Sequence, residues 1–171
     1  MCRLVITEIG MLFAPAIIRI PALNFITPSL RNNAPTNIET YENNIVFMVD
    51  TGAQITCISG LDAMKPGIET SYLEAYDDIV GVGGNCKAYK LEDVEVGLIE
   101  NISSDQISFH IEKLDKICVI DSLKMMSLLG IDLLKRFDLE TKRSKAEAYL
   151  KRCADAEGKF RIISKKFHQN N

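Results

Sequence analysis

A chain of 171 residues with 47% hydrophobic and 25% charged content holds one domain with a sizeable core and is too short for two comfortable ones. Its net charge of −3 lacks the concentrated basic surface that phosphate backbones select, so no nucleic-acid partner is expected. Five scattered cysteines (Cys2, Cys57, Cys86, Cys118, Cys153) form no CxxC pair, and only His110 and His168 are available to complete a metal set. That argues against a disulfide framework and a zinc site, leaves no metal or cofactor expected, and points to a reducing, cytoplasmic setting.

The first apolar patches, Ile9 to Phe13 and Ala16 to Ile18, are broken by Glu8, Pro15, Arg19 and Pro21 before reaching spanning length, so no membrane partner is expected. Ala16 to Ile20 reads as a first strand. Residues 21–44 turn polar and asparagine-rich, with Pro28, Pro35, Asn32-Asn33 and Asn43-Asn44, and read as a loop or insertion. Ile45 to Val49 is a solid apolar run, the pattern of a buried strand, and Ile55 to Ile58 reads as another. Ser59 caps a helical turn to Met64, which Pro66-Gly67 ends.

Further along, Ile79-Val80-Gly81-Val82-Gly83-Gly84 has the glycine density of a flexible hairpin tip. Val94, Val96 and Leu98 alternate with polar neighbours, as do Ile107, Phe109 and Ile111, giving half-buried strands with His110 on the polar, solvated face. Ile117 to Ile120 is a solid apolar run. Leu128-Leu129-Gly130 precedes a helix over Ile131 to Phe137, with Ile131, Leu134 and Phe137 at helical spacing. Phe137 to Glu140 and Glu147 to Leu150 read as a hairpin, although Lys145 to Cys153 would also serve as a helix. Lys159 to Lys165 reads as a last strand. The expectation is one mostly β domain over 1–171, with a core of about 14–150 and a C-terminal extension at 151–171.

Asp50-Thr51-Gly52-Ala53 carries the chemistry. A buried strand ending in a carboxylate, a small hydroxyl residue and a glycine fixes an acid at the strand's mouth. Taken alone, the triplet also fits a plain turn in which Asp bonds its own backbone. Context separates the readings. Ala53-Gln54-Ile55-Thr56 continues into a strand, a glycine-rich hairpin follows, and an apolar-apolar-glycine motif precedes a helix.

In that order and spacing the chain resembles the retropepsin family of aspartic proteases, including the retroviral enzymes and the retropepsin-like domain of the DNA-damage-inducible proteins. The resemblance covers roughly residues 45–140. It assigns the catalytic motif to Asp50, Thr51, Gly52 and Ala53, and the flap and substrate-binding strand to Ile79, Val80, Gly81, Val82, Gly83 and Gly84. Leu128, Leu129 and Gly130, with Asp132 shortly after, become the motif under the site. It implies a closed, barrel-like, all-β acid-protease fold, with one short helix after Gly130 and the Gly130 strand passing beneath the catalytic loop. Retroviral members usually carry arginine after that glycine; this chain has Ile131, as cellular members often have an apolar residue there.

Acid-protease chemistry needs two carboxylates sharing one proton, and the chain offers one Asp-Thr-Gly. A two-fold homodimer supplies the second by setting Asp50 against its mate. Thr51 then braces the two loops, and Gly52 allows close backbone approach. Asp132 either bonds the catalytic loop or simply favours the helix N-terminus. A dinucleotide fingerprint at Gly81-x-Gly83 would need glycine or alanine where Cys86 stands, and a helix where a strand is read. Two functions follow: a homodimeric aspartic endopeptidase acting on polypeptide, or a retropepsin-like dimerisation or peptide-binding module without cleavage.

Overall fold

The computed structural model describes residues 1–20, 44–81, 84–102, 106–142, 145–153 and 159–164. In chain order its strands are β1 (Cys2–Ile6), β2 (Leu12–Arg19), β3 (Asn44–Val49), β4 (Cys57–Ser59), β5 (Glu74–Gly81), β6 (Gly84–Ile102), β7 (Gln106–Ile120), β8 (Leu128–Leu129), β9 (Phe137–Lys142), β10 (Glu147–Arg152) and β11 (Lys159–Ser164). Among the described residues two short α-helices, α1 (Gly60–Met64) and α2 (Ile131–Leu134), and a 3-10 turn at Thr70–Tyr72 interrupt them.

Strand pairing closes a ring. The order β6-β7-β4-β8-β3-β2 returns to its start because β2 pairs antiparallel with β6, from Ala16↔Leu98 to Arg19↔Glu95. Closure removes the open edges that an isolated sheet of this size would expose. The ring is filled by residues of zero exposure from five of its strands: Ile45 and Phe47, Val94, Val96 and Leu98, Ile117 and Val119, Ile58, and Leu129. On β6 the reason is visible in the sequence, since Val94, Val96 and Leu98 sit at period two and share one face. Around the ring lie β5, paired with β6; β11, paired with β7; and a sheet β1-β10-β9 that extends from β2.

Several boundaries differ from those expected. The first strand of the ring begins at Leu12 and runs through Pro15. On one side β2 pairs with β1 at Leu12 and Phe13 and with β6 from Ala16 onward, and Pro15, which has no N–H to give, falls between them. β1 was not anticipated, and it carries the core to Cys2 and Leu4, ahead of the expected boundary near residue 14. The helix after Gly130 stops at Leu134; Phe137, which fits the helical spacing, instead opens β9 as a buried strand residue. The second helix, α1, is the helical turn read after Ser59, whose Oγ accepts from Asp62 N at 3.1 Å. β9 and β10 form the hairpin, with Glu147↔Lys142 to Arg152↔Phe137, so the helical alternative for Lys145 to Cys153 does not hold. The expected loop at 21–44 lies outside the described residues up to 43.

His110 is a correction. It is 9% exposed and not on a solvated face, and Glu112 beside it is fully buried. Glu112 Oε1 meets His110 Nε2 at 2.6 Å and accepts from Arg152 Nε at 3.2 Å, while Oε2 accepts from Arg136 Nη1 at 2.8 Å. The polar face of this part of β7 is covered by the turn after α2 and by β10, and the ring of Phe137 stands edge-on to His110 at 5.5 Å. Period two located the face; it held no information on what packs over it.

Candidate active site

β3 delivers Asp50 to the rim of the ring, and the chain is held there by bonds to the β8 segment. Met48 N donates to Ser127 O at 2.8 Å and Asp50 N to Leu129 O at 3.1 Å, continuing the parallel β3–β8 register. The loop then turns on itself. Gly52 N donates to Asp50 Oδ1 at 2.8 Å, and Ala53 N to Asp50 O at 3.3 Å. A Cβ on Gly52 would stand 3.2 Å from Asp50 Oδ1, so a side chain there crowds the carboxylate. Asp50 is half-buried, and Thr51 and Gly52 are exposed: the acid is presented at a surface.

Beneath the loop runs Gly130. Its N–H donates to Thr56 Oγ1 at 3.1 Å, and Ile131 N donates to Ala53 O at 2.8 Å. A Cβ on Gly130 would lie 2.5 Å from Ile55 C and 2.7 Å from Thr56 N, distances that backbone cannot yield to. Two chain segments thus cross in contact, which is why Ile55 and Thr56 are not the strand expected there and β4 starts only at Cys57. Asp132 Oδ1 accepts from Thr56 N at 2.9 Å, from Thr56 Oγ1 at 2.7 Å and from Leu133 N at 2.8 Å, so one oxygen ties the segment behind the Asp50 loop to the start of α2.

The glycine-rich segment is the end of the β5–β6 hairpin, with Ile79↔Cys86, Val80↔Asn85 and Gly81↔Gly84 in register. Gly84 has φ +100°, a conformation that favours glycine. Val82 and Gly83 lie outside the described residues. Ile79 packs with Tyr76, Cys86, Ile55 and Leu128 against buried Cys57, Cys118 and Ile120, a small apolar cluster between the hairpin and the Asp50 loop. A strand, not a helix, follows Gly84, which removes the dinucleotide fingerprint. Sequence reading missed Thr56, which is fully buried, donates its amide and hydroxyl to Asp132 and accepts from Gly130 N through the same hydroxyl. The signal was a hydroxyl residue amid an apolar stretch directly behind the motif. No group of three or more His, Cys, Asp or Glu among the described residues is placed to hold a metal ion.

A closed β-ring that sets an Asp-Thr-Gly loop on a crossing glycine strand defines the retropepsin-like class of aspartic-protease folds. Residues 36–136 match the family described as "gag-polyprotein putative aspartyl protease", and the chain belongs to that family. Solved structures similar to it include a retropepsin-like aspartic protease from Rickettsia conorii, at 20% identity over 85% of this chain and 94% of that one, with a TM-score of 0.49. Another is the retroviral protease-like domain of Ddi1 from Leishmania major, at 17% identity over 88% of this chain and 93% of that one, with a TM-score of 0.47. No curated protein matches the sequence.

Proposed function

We propose that the protein is a homodimeric aspartic endopeptidase in which Asp50 and its mate activate water against a peptide bond. The observation that carries this reading is the presentation of Asp50: the carboxylate of the one Asp-Thr-Gly in the chain, held by Gly52 N–H at 2.8 Å on a loop braced from below, at a surface and not in a core. Two such loops facing across a two-fold axis supply the pair the reaction needs.

One carboxylate, ionised, takes a proton from the water as it attacks the scissile carbonyl. The other, protonated, donates to the carbonyl oxygen, and a proton then passes to the leaving nitrogen. No covalent intermediate forms. Exposed Thr51 braces the partner loop, and the β5–β6 hairpin closes over an extended polypeptide, offering backbone groups for strand-like pairing. Ala53 and Ile79 give apolar walls and favour apolar residues around the scissile bond. Leu128, Leu129, Gly130 and Asp132 keep the loop in place.

The test is cleavage of an unfolded protein at about pH 5 by wild type and by Asp50→Asn. The variant should be correctly folded and at least about a thousandfold slower. Equal cleavage by both ends the enzyme reading and leaves the peptide-binding module.

A further inference from the structure

Helix α1 is capped through a residue remote in sequence. Ser59, Gly60, Leu61 and Asp62 have the form of a capping box, in which the acidic side chain ordinarily returns to the cap's own N–H. Here Ser59 N donates instead to Ser127 Oγ at 3.0 Å, and Ser127 Oγ donates to Asp62 Oδ2 at 2.6 Å. The ring closes where Asp62 N donates to Ser59 Oγ. Ser127 has no exposure at all, and the other Asp62 oxygen pairs with Lys65 Nζ at 2.6 Å. A buried serine that uses its hydroxyl both as donor and as acceptor in one closed circuit is a fixed point.

What it fixes is the segment 121–127. The segment is pinned at its start, where Gly60 N donates to Ser122 O at 3.1 Å, and at its end by Ser127. Between the pins Leu123, Met125 and Met126 are 66%, 37% and 47% exposed. Met125 Sδ lies 3.7 Å from the Sγ of Cys86, the register partner of Ile79 in the β5–β6 hairpin. At the other end Ser127 O accepts from Met48 N, two residues before Asp50. The segment therefore runs from the hairpin to the acid-bearing strand, with apolar side chains facing outward and both ends anchored on α1.

We propose that Ser127 and Asp62 are positioning residues that set the apolar wall formed by this segment, and that they govern how tightly an apolar peptide is held, not how fast its bond is broken. The role rests on the reading of Asp50 as the active acid. Neither residue touches the reacting atoms; they act through the backbone of 121–127.

The experiment uses the full chain with Asp62→Ala, Ser127→Ala and Asp62→Asn. Three quantities are read: amide exchange of residues 121–127, kcat and KM on a peptide with leucine on both sides of the scissile bond, and affinity for the same peptide with that bond reduced. Both alanine variants should lose exchange protection within 121–127 and α1, raise KM and weaken the reduced-bond peptide by roughly tenfold, and keep kcat within about twofold. Asp62→Asn keeps a side-chain oxygen to accept from Ser127 and should restore most of the affinity. If Ser127→Ala does not fold, because Ser59 N loses its acceptor, the two Asp62 variants decide. Unchanged exchange and affinity, or a fall in kcat at constant KM, overturns the proposal. Should wild type cleave nothing, the functional reading falls, while exchange and reduced-bond affinity still judge the positioning role.

Discussion

Asp132 makes three hydrogen bonds with one oxygen, and the geometry explains why an acid stands there. A carboxylate accepts strongly and in several directions, so it can satisfy the amide and hydroxyl of buried Thr56 and the amide of Leu133 together. The cysteines show the opposite principle. Burial, the largest cause in each, pushes Cys2 and Cys57 up to about 12 and Cys118 up to about 11. A raised thiol pKa means the proton stays on through neutral pH, and these three behave as small apolar residues. Treated with iodoacetamide at about pH 8, the native protein should label at half-buried Cys86 and Cys153 while Cys2, Cys57 and Cys118 react at least about a hundredfold more slowly than a free thiol. Peptide mapping of the labelled sites checks this; fast labelling of Cys57 would contradict the packing under the Asp50 loop.

At the scale of elements, the crossing of the β8 segment beneath the Asp50 loop is the critical joint. Gly130→Ala places a methyl group 2.5 Å from Ile55 C, with backbone on the receiving side. The expected outcome is a loss of about 3 kcal/mol or more in stability, measured by urea unfolding, with displacement of Asp50. An alanine variant as stable as wild type would show that the two segments do not touch. Much of this joint was legible in advance. Asp50-Thr51-Gly52 behind an apolar run and Leu128-Leu129-Gly130 before a helix named both partners, because each motif is local and each needs glycine for close approach. Thr56 and Ser127 were not legible as parts of the site. Their roles depend on partners 76 and 65 residues away in sequence, Asp132 and Asp62, and no local period encodes such a distance. The same limit accounts for β1, whose five residues gain their place only by pairing with β10 and β2.

For the whole molecule, Glu112 joins the ring to the C-terminal hairpin. Burial alone pushes its carboxyl up, but hydrogen bonds from His110 and Arg136 outweigh burial and hold it below the usual carboxylate range. A carboxyl lowered on folding binds fewer protons in the native state than in the unfolded one. Its stabilisation is therefore complete above the ordinary glutamate value and is lost as pH falls toward the native value. Stability should drop below about pH 4.3, and Glu112→Gln should flatten that limb. The same variant, leaving Arg136 and Arg152 without their carboxylate, should lose about 3 kcal/mol at neutral pH. Thermal melts of both proteins from neutral to acid pH test the pair of effects, and an identical acid limb in the variant would remove Glu112 as the cause.

The proposed pairing of two Asp50 carboxyls belongs to the scale of the whole molecule, and subunit poisoning tests it most directly. Wild type held at fixed concentration is titrated with folded Asp50→Asn, and cleavage of an unfolded protein is followed at about pH 5. If each active unit needs one Asp50 from each chain, mixed dimers are inactive and the rate falls as the variant fraction rises, to about one half of the starting rate when a statistical mixture holds equal amounts of the two chains. A rate that stays proportional to wild-type concentration alone, whatever amount of Asp50→Asn is added, would contradict a shared site.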